Sequence, residues 1–301
     1  MDTYAPNKST FDRSEEDLGN VVEFGHVNLG VPDQQLATLF YVAALGLTRD
    51  PYMMSGVDLM WINVGQSQFH LPTQPANVLA GTIGLVVPDL HALFARCADL
   101  QRSLTATQFA FRQAGDAAEV TCPWGNRFRV HAPDPERFGP INLGMAYLEF
   151  DVPEAISLSG IAAFYREMLS ALAGVETDSR GEYAWVSVGT AGRFIFRRTP
   201  RSIPYDGHHL QITLANFAAP HDALLRRGLI TQESDQHQYR FNDIVDPATG
   251  EVLFTIEHEV RSMRHPLYGR PLVNRNADQT NRNYVPGRES WQWALAADVS
   301  R

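Results

Sequence analysis

Four segments of this chain repeat one rhythm of strand, helix and closing strands. A chain with that self-similarity is confined to folds in which one supersecondary unit is copied and packed against its copies. The first segment opens with FGHVNLGVPDQQLATLFYVAALGLTRD from Phe24, an alternating strand that runs into a helix with apolar residues at helical spacing. It closes with VDLMWINVGQSQFHLP, Val57 to Pro72, which reads as two strands about a turn at Gly65. The second opens with GTIGLVVPDLHALFARC at Gly81 and closes with VTCPWGNRFRVHAP, ending at Pro133. The third opens with GMAYLEFDVPEAISLSGIAAFYREMLSAL at Gly144 and closes at Pro200; its helix repeats the Phe-Tyr pair of the first, Phe164 and Tyr165 against Phe40 and Tyr41. The fourth opens with GHHLQITLANFAAPHDALLRRGL at Gly207 and closes with YRFNDIVDPATGEVLFTIEHEV, ending at Val260.

Aligned on the Val-Pro that ends each opening strand, His26, Thr82 and Tyr147 share one position, and strand length brings His209 to the same place. Units one and three read as having long helices, two and four as having short ones. A two-unit ancestor that duplicated would account for this, and divides the chain into a tail over 1–23, a two-unit domain over 24–135, a second over 142–262, and an arm over 263–301. The arm is rich in Arg, Asn and Pro with little periodicity, and is expected to run over the surface or onto a neighbouring subunit, as a homodimer contact would.

Composition narrows the partner. With 44% hydrophobic residues in 301, the chain can fill proper cores. A net charge of -9 argues against a nucleic-acid backbone, so a small molecule is the expected partner. No apolar run approaches the roughly 20 residues that span a bilayer. The first residues also lack a cationic-then-apolar signal, which predicts a cytoplasmic chain without a membrane partner. Cys97 and Cys122 are far apart, so any metal would be held by histidines and carboxylates.

Four such units, with VPD and DPATG turns, Phe-Tyr helices and a histidine opening two of the strands, resemble the vicinal oxygen chelate superfamily, the group of glyoxalases, bleomycin-resistance proteins and extradiol dioxygenases. The resemblance covers residues 24 to 260. It implies an α+β fold of four tandem βαβββ units forming two half-open barrels. It also implies a divalent metal ion, Fe(II), Mn(II), Zn(II) or Ni(II), held by ligands on first and last strands and chelating two adjacent oxygens of a substrate. The implied activity is a glyoxalase-type lyase or isomerase, or an extradiol-type dioxygenase. A metal-free protein that sequesters a small molecule is the alternative, with Met60, Trp61 and Phe69 suited to an aromatic ligand.

Only units one and four pair an opening-strand histidine with a candidate ligand on the last strand, so the expected set is His26, His70, His209 and Glu257. Rings of His26 and His209 within about 4 Å of each other would share one site. If units three and four pair instead, Tyr147 or Glu149, two residues apart and on one strand face, would supply the third ligand. Glu259 shares the face of Glu257, and a one-residue slip would put His208 in place of His209. Glu257 or Glu149 could shuttle a proton, with Tyr147 beside them. The dioxygenase pattern is broken at Tyr147, Asp243 and Phe254, where that group carries His, Tyr and Glu. His131 and Arg129 read as a structural or substrate-contacting pair. His221, His237, His258 and His265 read as surface or packing residues, and Arg197, Arg198 and Arg201 as a solvated turn.

Overall fold

The computed structural model describes residues 12–51, 58–200 and 203–272; Val57, Arg201 and the arm beyond 272 lie outside them. All four units are formed. Unit one comprises β1 (Val21–Asn28), helix α1 (Gln34–Ala37) continuing as a π-helical stretch (Thr38–Ala44), β2 (Thr48–Arg49), β3 (Leu59–Val64) and β4 (Ser67–Pro72). Unit two comprises β5 (Gly81–Val86), α2 (Leu90–Leu100), β6 (Ala110–Ala114), β7 (Ala117–Thr121) and β8 (Arg127–His131), followed by α3 (Pro135–Phe138). Unit three comprises β9 (Gly144–Pro153), α4 (Leu158–Leu169), β10 (Ala173–Asp178), β11 (Gly181–Val188) and β12 (Gly192–Thr199). Unit four comprises β13 (His209–Leu214), α5 (Ala218–Leu225), β14 (Ile230–Asp235), β15 (Gln238–Val245) and β16 (Val252–Ser262).

The repeated Val-Pro-Asp has a local cause. Its valine lies where the strand leaves the sheet, and its aspartate caps the next helix: Asp33 accepts from the amides of Gln35 and Leu36, and Asp89 from that of Ala92. The helix of unit two is not short as expected. It runs 11 residues against 12 in unit three, because no Gly or Pro interrupts it before Leu100.

Strand order is β14-β15-β16-β13-β1-β4-β3-β2 in one sheet and β10-β11-β12-β9-β5-β8-β7-β6 in the other. Unit four therefore shares a sheet with unit one, and unit three with unit two. The opening strands form the seams, β1 antiparallel to β13 and β5 antiparallel to β9. Segments 24–135 and 142–262 thus each contribute half of each sheet.

One apolar core lies between the sheets. Phe24 meets Phe194 edge-on at 5.2 Å across them. The Phe-Tyr pairs are core: Phe40 and Tyr41 pack on Phe128, and Phe164 and Tyr165 on Phe241 and Phe196, all fully buried. Each such phenylalanine ring removed from water contributes roughly 1.5–3 kcal/mol.

The strands alternate about this core. Leu210, Ile212 and Leu214 of β13 face it, leaving His209, Gln211 and Thr213 on the other face. A bulge in β1 puts a second histidine there. Its ladder with β13 skips a residue between Phe24 and His26, so Phe24 pairs with core-facing Ile212 and His26 with Gln211. The skipped residue is Gly25, where a Cβ would lie 1.7 Å from the Gln211 side-chain oxygen, so any larger residue must push the Gln211 amide aside.

Candidate metal centre

The concave face of the first sheet is polar and yet buried. His26 is 2% exposed, Gln211 and Thr213 1%, and Glu259 3%. Burying so many polar groups is costly unless they bind each other or a ligand. A strap leaving β16, described as far as Leu272, lies over the face: Arg270 bonds Asp50 and Gln68, and the Leu272 carbonyl accepts from Asn63.

His26 and His209 converge across the β1–β13 seam, with Nε2 atoms 3.4 Å apart. Among the described residues one group of potential ligands gathers closely: His26, His209 and Glu259, whose ligand atoms all lie within 4.8 Å of one another. The register explains why Glu259, rather than Glu257, belongs to it. His26 opposes Gln211 and Asn28 opposes His209, which makes His26 and His209 mates about a local two-fold axis. In the parallel ladders His26 lies beside Gln68 and His209 beside Glu257. Gln68 and Glu257 are therefore mates, and two residues further along so are His70 and Glu259.

The expected set of His26, His70, His209 and Glu257 is thus changed at two places. Glu257 stands behind the site, 3.4 Å from His209 Nδ1 and paired with Arg240, where it can hold the ring with Nε2 turned inward. The His70 ring is sandwiched flat between Trp61, at 3.9 Å, and His26, at 3.7 Å, with Nε2 3.2 Å from the Gln68 side-chain oxygen. Stacking, rather than convergence, occupies it. Of the residues expected to suit an aromatic ligand, Trp61 is in this stack, while Met60 and Phe69 are in the core. His208 lies off the face, with its Nδ1 2.6 Å from Asp206.

Tyr147 and Glu149 are on β9 and so belong to the other sheet, because unit three pairs with unit two. The Tyr147 hydroxyl lies 3.0 Å from His131 Nε2, and Glu149 is clamped by Arg180. Burial, then Glu149, raises Tyr147 to about 12. Neither reaches the His26–His209 centre. Arg129 lies 3.7 Å from Glu119, and Arg197 and Arg198 pair with Asp178 and Glu182. His258 is a packing residue, fully buried and bonded to Tyr165.

Electrostatics suit the centre to a cation. Burial, then His70, holds His26 well below the ordinary imidazole range; burial, then Arg261, does the same to His70; burial, then Arg240, brings His209 to about 3. These rings are neutral at neutral pH and keep lone pairs for a metal. Among the described residues Arg240, Arg261 and Arg270 stand against Glu23, Asp50, Glu257 and Glu259, three guanidiniums to four carboxylates. Two ligands at about 2.1 Å in a tetrahedron are about 3.4 Å apart, the spacing seen between the histidines. Two imidazoles and a carboxylate suit Fe(II), Mn(II), Zn(II) or Ni(II), so the donor set fits the expected ion.

Sequence reasoning missed the three arginines and Gln211. Arg261 and Gln211 could have been found from two-residue spacing along β16 and β13; Arg240 and Arg270 carry no such signal.

No protein-family model matches the sequence, and comparison with curated proteins finds no match. Solved structures do match. Glyoxalase I from Zea mays superposes with a TM-score of 0.53 at 12% identity, over 80% of this chain and 92% of that one. A Bacillus subtilis protein provisionally assigned as a dioxygenase superposes with a TM-score of 0.52 at 13% identity, over 82% and 86%. At these identities the likeness is one of fold. Two half-open barrels of βαβββ units are what the resemblance implied and what the sheets form.

Proposed function

We propose that this chain, which has the vicinal oxygen chelate fold, is a divalent-metal-dependent enzyme acting on a small substrate with adjacent oxygens, of glyoxalase-type lyase or isomerase or of extradiol-dioxygenase type. The observation that carries this reading is the convergence of His26, His209 and Glu259 on a buried, polar, concave face. His26 Nε2, His209 Nε2 and a Glu259 oxygen would hold the ion, with the His70 ring stacked against His26 to fix its plane. A bound divalent ion supplies Lewis acidity, lowering the cost of negative charge on oxygens beside it.

The chain's own groups do the rest. Glu257 orients His209 and is the carboxylate placed to take or return a proton beside the centre. Arg240 joins Glu257 and Glu259, fixing both, and Arg261 holds Glu259 at 2.6 Å. The strap lies over the face, tied to it through Arg270 and Leu272.

One observation favours a second reading, a metal-free binding protein. The Glu259 carboxylate is already paired with two guanidiniums, so the face is neutralised in part without an ion. Elemental analysis after expression in metal-replete medium decides between them. The enzyme reading expects about one first-row metal per chain, lost in His209→Ala and in Glu259→Gln. Absence of stoichiometric metal would sink it, and metal retained in His209→Ala would show that the ligands are wrong.

A further inference from the structure

A cavity of about 620 Å³ opens beside the centre, in the range of small-molecule sites. It lies where the two sheets and the strap meet. Its walls are the start of β1 (Val22 to Phe24), the β3–β4 turn (Gly65 to Ser67), the linker from Pro140 to Met145, the β11–β12 turn (Val188 to Gly192) and Tyr268 to Leu272. Most of the side chains are apolar, Phe24, Ile141, Leu143 and Met145 among them. A second, polar cavity of about 40 Å³ reaches His26, Gln211 and Arg261. The two meet at Glu23, Gln66, Tyr268, Arg270 and Leu272, which line both.

One donor at this junction is unmet. Arg270 gives Nη2 to Asp50 and Gln68, but its buried Nη1 has no partner among the described residues. A buried donor without an acceptor is costly, so a ligand that brings one is favoured. Among the described residues Asp50 pairs with Arg270, and Glu23 stands at the same junction, so an uncharged acceptor suits it better than an anion.

The geometry points to a substrate with an apolar aryl or alkyl body held in the chamber between the sheets and an uncharged carbonyl head received by Arg270, on the way to the His26–His209 centre. This rests on the functional reading above for its chemistry, but on the chamber alone for its binding. The chamber is made by residues of units one and three, the linker that precedes unit three and the strap, so neither sheet by itself contains it.

Calorimetric titration of the full chain with 5-phenylpentanamide and with 5-phenylpentanoate, before and after stripping with EDTA, tests it. Saturable one-to-one binding of the amide is expected, with the acid weaker. Arg270→Met should weaken the amide about tenfold. Ala191→Trp, which fills the chamber, should abolish binding; Leu143→Arg, at a half-exposed lining position, serves if that variant does not fold. No saturable binding, or unchanged binding in Arg270→Met and the chamber variants, overturns the proposal. Tighter binding of the acid overturns the uncharged head. Amide binding that survives EDTA supports the chamber even if no metal is found; binding that needs the metal overturns the chamber as its source.

Discussion

Two residues along β16 separate two carboxylates with different work. Glu257 is the ladder partner of His209, and Glu259, two residues on, is the partner of Gln211 and the mate of His70. Glu259→Gln should therefore lower metal affinity more than Glu257→Gln, whose loss falls at about the 10–100-fold of an outer-shell partner, as read by competition with a chromogenic chelator. Equal effects would place the ligand wrongly. His258 gives a separate prediction about acid. Its Nδ1 meets the Ile256 carbonyl and its Nε2 the Tyr165 hydroxyl, and burial brings it to about 3. The folded state disfavours its protonation, so its contribution is whole above the unfolded value of about 6.5. It is lost as pH falls from there toward about 3, by about 1.4 kcal/mol per pH unit. Stability read from urea melts should fall with pH through that window, and His258→Phe should reduce the slope of stability against pH by about one proton. An unchanged slope would show that the ring is not the titrating group.

At the scale of the element, β1 shows how one residue redirects a strand. Without the bulge at Gly25, the two-residue period would carry His26 to the face of Phe24; with it, Phe24 stays in the core and His26 joins Gln211. Gly25→Ala should cost about 1–3 kcal/mol, the range for overpacking, and should displace Gln211, because the new methyl would overlap its amide. Thermal melting together with metal titration reads both effects, and a neutral result on both would mean that the bulge is not tightly packed. Helix starts were legible because Asp33 and Asp89 are local caps, whereas the length of α2 was not, since no local cap marks its end at Leu100. Gly65, at φ +67, sits in the β3–β4 turn as its sequence implied.

At the scale of the molecule, each sheet takes half its strands from residues before Gly139 and half from residues after it. Fragments 12–139 and 140–272 should each fail to fold alone and should recover sheet structure when mixed, as circular dichroism would report. Independent folding of either would mean that the seams β1–β13 and β5–β9 are dispensable. The described part of the arm folds back over its own chain's centre, and no helix among the described residues is long and apolar enough to cross a membrane. Periodicity, caps and the spacing of repeats are local properties, and they sufficed for four strand-helix-strand units and the shared position of His26 and His209, while the half-barrel fold came with the resemblance to the vicinal oxygen chelate superfamily. Which units pair, which carboxylate joins the histidines, and why His70 stacks while Tyr147 and Glu149 lie elsewhere depend on ladder register across residues nearly two hundred apart. That register is set by how two apolar faces close on a common core, a choice no short stretch of sequence carries.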